Sequence, residues 1–176
     1  MIYTIAFLLG GECSRYAESL AREVSEKFGV RFVFDKLGTH ITLKAPFSVE
    51  DISEVEEFLD KFSREEFPLE VSLKGFGHFG KDVVYLDVED SDEIYYFMND
   101  LVAGLRKLGV SFSEFDGVGK SLHCTIAKDL GRTFPDVWEY LNGLKKPNFS
   151  VYFDKISLMV FDKDKWKLYR DFELGV

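Results

Sequence analysis

The chain carries one four-residue pattern twice, His40-Ile41-Thr42-Leu43 and His123-Cys124-Thr125-Ile126, each reading His-x-Thr-apolar. Side chains alternate between faces along a β-strand. In each stretch, therefore, the imidazole and the hydroxyl share one face, ~7 Å apart at Cα, while Ile41, Leu43, Cys124 and Ile126 turn toward a core. A single such pair reads as ordinary strand. Two pairs occupy two of the three histidines in the chain, and strands seldom spend two imidazoles on packing, because each needs a hydrogen-bonding partner. The fold must supply two strands that each present an imidazole beside a hydroxyl.

The segments around the motifs repeat as well. Residues 2–9 are apolar and form a strand ending at Gly10-Gly11. Tyr16, Leu20, Val24 and Phe28 recur every fourth residue, with Arg22, Glu23 and Glu26 opposite, which predicts a helix over 12–28 closed by Gly29. A short strand at 31–34 precedes the first motif. A second helix is expected over 51–62, with Ile52, Val55, Phe58, Leu59 and Phe62 on one side, then a strand at 69–73. Gly75, Gly77 and Gly80 read as a loop around His78. The second series runs strand 83–88, helix 92–108 behind an Asp90-Ser91-Asp92 cap, loop 113–119, the second motif in strand 121–127, helix 136–144 and strand 150–161. A charged turn at 162–165 and a strand at 166–174 close the chain. The order strand, helix, motif, helix, strand occurs twice, in halves of about 1–80 and 81–176 with little identity beyond the motifs. The expected fold is a single α+β domain over 1–176, a duplicated bilobal body with pseudo-twofold symmetry and its two His strands facing across a cleft.

Composition narrows the function. Apolar residues make up 46%, with 18 Phe and 8 Tyr, enough for a packed interior. The formal charge of −9 argues against a surface that grips DNA or long RNA, which would be basic. A local pocket for a phosphate ester or an RNA end remains compatible with it. The two cysteines, Cys13 and Cys124, have no C-x-x-C or Cys/His ligand spacing, so no metal is expected, and they fit a reducing cytoplasm. The first strand is too short and too poor in basic residues for a signal peptide, and nothing reaches membrane-spanning length.

Two imidazoles on either side of a bound group suit proton transfer, because a free histidine titrates near 6.5 and one ring can be neutral while the other is protonated. In cleaving a phosphodiester, one ring would deprotonate water or a hydroxyl and the other would protonate the departing oxygen. Threonine hydroxyls could donate to the non-bridging oxygens. No metal or other cofactor is required by this scheme.

The twin motifs in a duplicated α+β chain resemble the two-histidine phosphoesterase superfamily, in its 2′-5′ RNA ligase-like, RNA 2′,3′-cyclic phosphodiesterase branch. The resemblance spans nearly the whole chain, from the first strand to the closing hairpin at Phe172-Glu173-Leu174. It implies two antiparallel sheets around a water-filled cleft with helices outside. It also implies metal-independent hydrolysis of a 2′,3′-cyclic phosphate or a 2′-5′ phosphodiester at an RNA or nucleotide end. By position, His40 and His123 would be the catalytic pair and Thr42 and Thr125 the phosphate binders. Which histidine is acid and which base the sequence leaves open. The acidic charge departs from what a long RNA substrate would need. Ligation through a 2′-5′ bond, the same chemistry in reverse, and a non-catalytic RNA- or nucleotide-binding module are the alternatives. A cytoplasmic monomer without an obligate protein partner is expected.

Further candidates surround the motifs. Lys44 lies two residues beyond Thr42 and by alternation shares the His40 face; Ser121 likewise shares the face of His123. Tyr3 and Phe7 on the first strand, and Phe115 in the loop before the second motif, are candidate base-stacking rings. By parity Lys128 points away from the motif face. His78 reads as a loop or strand-end histidine and Cys124 as a core thiol.

Overall fold

The computed structural model describes residues 1–114, 116 and 120–175. The expected strand at the N-terminus forms as β1, Ile2–Leu8, almost entirely buried because its neighbours cover both faces. It feeds α1, Gly11–Phe28, whose buried stripe is Cys13, Ala17, Leu20, Ala21 and Val24, and which stops at Gly29 in the left-handed conformation. The strand expected at 31–34 does not form. Val33–Asp35 is a 3-10 turn, held by a bidentate Arg31–Asp35 contact at 3.0 and 3.1 Å that closes the segment on itself.

Then follow β2, His40–Ser48, and α2, Ser53–Glu65, whose first turn is tied by Asp51 Oδ1 accepting from the Ser53 amide. The next strand is longer than its alternation suggested: β3 is Leu69–Phe79 and includes His78, which is therefore a strand residue. Gly75 makes the extension possible. At φ +73° it absorbs a register break between Leu73 and Phe76 that a side chain would strain. A tight hairpin leads to β4, Val83–Val88, and then to α3, Asp92–Lys107, capped by Ser91 Oγ accepting from Ile94 N at 3.2 Å. The second motif lies on β5, His123–Ala127. After α4, Phe134–Gly143, come β6, Asn148–Phe153, β7, Lys155–Asp162, and β8, Lys165–Glu173.

All strand pairs are antiparallel, in two four-stranded sheets ordered β2-β1-β7-β8 and β5-β4-β3-β6. The α+β architecture is as expected, but the sequence halves interlace. From the first half, β3 joins the second sheet; from the second half, β7 and β8 join the first. What read as one strand at 150–161 is two, because the chain changes sheets at Asp154, whose carbonyl accepts from Leu174 N at 2.7 Å. At that crossing Phe153 stacks on Phe7 of β1, 4.2 Å between centroids. A contiguous cluster of buried side chains thus runs through both sheets.

For the site, one consequence matters most. β2 and β5 are the corresponding edge strands of their sheets, and they approach each other within 8 Å at Cα. The edges that carry the two histidines meet. Helix α1 also packs on β5, bridging the lobes. Among the described residues no helix is long and apolar enough to cross a membrane.

Candidate active site

The two motif strands have the same burial sequence over five residues: half-buried, buried, half-buried, buried, buried. They also share a defect. Opposite β2, Ala6 pairs with Thr42 and Ile5 with Lys44, so Leu43 is skipped. Opposite β5, Tyr85 pairs with Thr125 and Val84 with Ala127, so Ile126 is skipped. Each is a bulge at the apolar residue after threonine, and a bulge reverses the alternation beyond it. His40, Thr42, His123 and Thr125 stay half-open, as alternation predicts. One step further along, the prediction inverts.

Lys44 shows the inversion. It was expected on the His40 face and instead lies buried, its side chain and that of Asp116 each 1% exposed. Its Nζ donates to Asp116 Oδ2 at 3.0 Å and to the Ala45 carbonyl at 2.9 Å, between the rings of Phe47 and Phe112. The Asp116 carboxylate also accepts from Ala45 N, Ser113 N and Ser113 Oγ. Burial alone would raise the Asp116 pKa, but these donors outweigh it and hold the group below its ordinary value. Lys44 is thus committed to pinning the segment ahead of β5 onto β2 and has no reach to a cleft ligand. Lys128 is the converse. Parity pointed it away, but beyond the bulge it is exposed on the His40 side, close enough for its charge to lower that ring's pKa.

Both imidazoles are held alike. Nδ1 of His40 donates to the Gly38 carbonyl at 2.7 Å, and Nδ1 of His123 donates to the Ser121 carbonyl at 2.9 Å. A carbonyl only accepts, so Nδ1 must carry the hydrogen, and the neutral ring offers Nε2 as its free lone pair. The rings sense each other electrostatically. Both pKa values lie below 6.5, for reasons that differ in part. Burial is the main cause for His40; its carbonyl bond opposes the shift, and the charges of His123 and Lys128 deepen it. Burial also leads for His123, but there the Ser121 carbonyl and the Asp87 carboxylate oppose it. Asp87 is the direct cross-strand partner of His123. Its own pKa is raised by burial and by Asp90.

Sequence reasoning set Lys128 aside and missed Asp87 and two rings. Phe79 meets His123 edge-on at 4.8 Å and Tyr85 at 4.5 Å, and Tyr85 lies 4.9 Å from His123. A hairpin signal at residues 80–82 would have brought Phe79 near Tyr85, but not near His123.

The other candidates divide. Tyr3 and Phe7 are 2% and 1% exposed and belong to the core, because β1 is covered on both faces, so neither can stack a base. Ser121 is exposed at the rim of an open groove of ≈ 560 Å³, shared with Asp90, Tyr95 and Lys120, and contributes its carbonyl to His123. Phe115 lies outside the described residues. His78 faces away from the motif side, against Trp138 and Phe134, with Nδ1 on the Gly80 carbonyl. Cys124 is fully buried, its thiol pushed up to about 12 chiefly by burial, so it stays protonated and is no nucleophile. Among the described residues no group of three or more His, Cys, Asp or Glu is placed to hold a metal ion.

Comparison with known proteins bears on the fold and the family. The family model of the 2′-5′ RNA ligase superfamily matches residues 15–165. Among solved structures the chain is similar to TT0787 of Thermus thermophilus, with TM-score 0.69 and 14% identity over 99% of this chain and 98% of that one. It is similar to E. coli LigT complexed with 3′-AMP, with TM-score 0.64 and 13% identity over 99% and 98%. Kluyveromyces marxianus Usb1 follows at TM-score 0.55 and 12% identity over 98% of each chain. At these identities the structural likeness establishes the fold alone. No curated protein sequence matches significantly. The length of the family match decides the matter: the chain belongs to the 2′-5′ RNA ligase superfamily, the two-histidine phosphoesterase group to which its paired motifs pointed.

Proposed function

We propose that the chain is a phosphoesterase that opens a 2′,3′-cyclic phosphate, or cleaves a 2′-5′ phosphodiester, at an RNA or nucleotide end, with His40 and His123 as its acid–base pair. The observation that carries this reading is the matched tethering. Two imidazoles on strands that meet each spend Nδ1 on a carbonyl two residues upstream and keep Nε2 for chemistry.

Their surroundings favour one division of roles. His40, near the cation Lys128 and without a carboxylate among the charges that shift it, is biased toward the neutral ring and serves as base. His123, opposite Asp87, is the better proton carrier and serves as acid. In cyclic phosphate opening, Nε2 of His40 takes a proton from water as its oxygen bonds to phosphorus. The bond from phosphorus to one ribose oxygen breaks, and that oxygen leaves with the proton from Nε2 of His123. The rings exchange protonation states, and solvent restores them. Thr42, Thr125 and Lys128 would hold the non-bridging oxygens as charge builds there. Joining two RNA ends is the same path reversed, with the roles exchanged. The −9 charge makes the grip on two RNA strands the less favoured direction.

The test is hydrolysis of adenosine 2′,3′-cyclic phosphate and of a short RNA ending in a 2′,3′-cyclic phosphate, in EDTA, by the wild type, His40→Ala and His123→Ala. Turnover lost in both variants supports the reading. Turnover unchanged in both sinks it.

A further inference from the structure

Among the exposed large apolar side chains of the described residues, Phe79 is the one in ring contact with a motif histidine. It is 40% exposed at the end of β3, whereas Phe7, Phe97 and Phe153 are almost fully buried. It does not hang free. Its ring leans on Tyr85 at 38° and meets His123 at 81°. Tyr85 in turn is 7% exposed and lies across Gly77, the residue paired with it on β3. A Cβ at Gly77 would collide with the Tyr85 ring, so only glycine there lets the tyrosine lie flat and brace Phe79 from below. The three rings therefore form a graded wall: Tyr85 as floor, His123 at one end, and Phe79 as the ring most exposed to solvent. Keeping an aromatic ring part-exposed in water costs burial that the core offers its neighbours. A flat ligand that covers it recovers that energy.

From this wall we infer that Phe79, braced by Tyr85 over Gly77, is a stacking platform for the nucleobase of the substrate, and so selects a nucleoside-borne phosphate over a base-free one. The inference rests on the phosphoesterase reading above for the identity of the substrate, and it agrees with the assigned roles. In a 2′,3′-cyclic phosphate the departing oxygen belongs to the ribose that carries the base. The ring wall stands on the side of His123, which protonates that oxygen. On the opposite side His40 has no ring partner among the described residues and Lys128 for a neighbour, an environment suited to water. The nucleoside would lie toward Phe79 and the water would enter past His40. Stacking on an aromatic ring tolerates any base, so the platform predicts a preference for nucleotides as a class.

The experiment compares kcat/KM for adenosine 2′,3′-cyclic phosphate, for a short RNA with a 2′,3′-cyclic end, and for the base-free methyl riboside 2′,3′-cyclic phosphate, in the wild type, Phe79→Ala and Phe79→Trp. The wild type should prefer the base-bearing substrates. In Phe79→Ala that preference, taken as a ratio, should shrink roughly 10- to 100-fold, and in Phe79→Trp it should persist. A mononucleotide penalised as heavily as the RNA places one base on the ring; a heavier penalty on the RNA extends the platform to the chain. An unchanged ratio in Phe79→Ala overturns the proposal and makes Phe79 a prop for His123. Equilibrium binding of adenosine 3′-monophosphate and of inorganic phosphate to the same proteins gives a readout that needs no turnover. Selective loss of nucleotide affinity in Phe79→Ala upholds the platform even if no substrate is hydrolysed, in which case the phosphoesterase reading alone fails. Equal effects on both ligands overturn the platform even if hydrolysis is robust.

Discussion

The strands that carry His40 and His123 are nearly superimposable in pattern and unlike in company. Both have the same burial sequence, the same bulge after threonine and the same tether on Nδ1. Around them the symmetry fails. His123 has a carboxylate opposite and two rings against it, whereas His40 has a lysine within electrostatic reach. Four residues past each histidine, the first strand carries the buried ion pair of Lys44 and the second carries Ala127. Duplication accounts for a pair of equivalent rings. Acid–base catalysis needs a pair of inequivalent ones, and the difference comes from neighbours on β3, β4 and the end of β5.

Removing either ring should break the pair most severely. His40→Ala and His123→Ala should each lower kcat by about 10²–10⁴-fold, with the double variant little worse than the poorer single, since the two act as a unit. Steady-state rates beside circular dichroism check this. Near-multiplicative losses would mean that the rings work independently.

Next in size is the asymmetry at Lys44. Lys44→Met leaves the Asp116 carboxylate buried without its cation, and should cost about 3–5 kcal/mol of stability in a urea melt, while Ala127→Ser on the matching strand should cost far less. If Lys44→Met is as stable as the wild type, the pair does not hold the segment before β5 against β2.

The threonines should show the symmetry that persists. Thr42→Val and Thr125→Val each remove one donor at a half-open position, and kcat should fall about 10²-fold in each with stability nearly unchanged. A loss confined to KM would make them ground-state contacts.

The smallest effects separate the two sides. Because both histidine pKa values are lowered, the bell of kcat/KM against pH should centre below 6.5, between a base that must be neutral and an acid that must be protonated. Asp87→Asn removes a charge that raises the His123 pKa, so that pKa falls and the alkaline limb should move to lower pH. Lys128→Met removes a charge that lowers the His40 pKa, so that pKa rises and the acid limb should move to higher pH. If the limbs respond the other way about, the two rings exchange roles.

Much of this was legible in the chain itself. The helical periodicities at Tyr16 to Phe28 and Ile52 to Phe62 return as α1 and α2, and the motif residues occupy the half-open positions that alternation assigns them. Two of the misreadings share a cause. Alternation states which side chains share a face only while the ladder is regular, and a bulge is set jointly by two strands. Lys44 and Lys128 were misplaced for that reason. Tyr3 and Phe7 were misread because one strand does not reveal that both of its faces are covered.

What the sequence determined by itself is the local chemistry: the four α-helices, most of the strands, and that an imidazole and a hydroxyl stand side by side twice. Those features depend on neighbours a few positions apart, and short-range sterics decide them. What only the tertiary structure decided is the site as a site. The exchange of β3 and β7 between sheets, the meeting of β2 with β5, and the company of Asp87, Phe79 and Tyr85 around one histidine all join residues distant in the chain. Such contacts arise from packing two sheets around a common core, and no local pattern encodes which strand will be the neighbour.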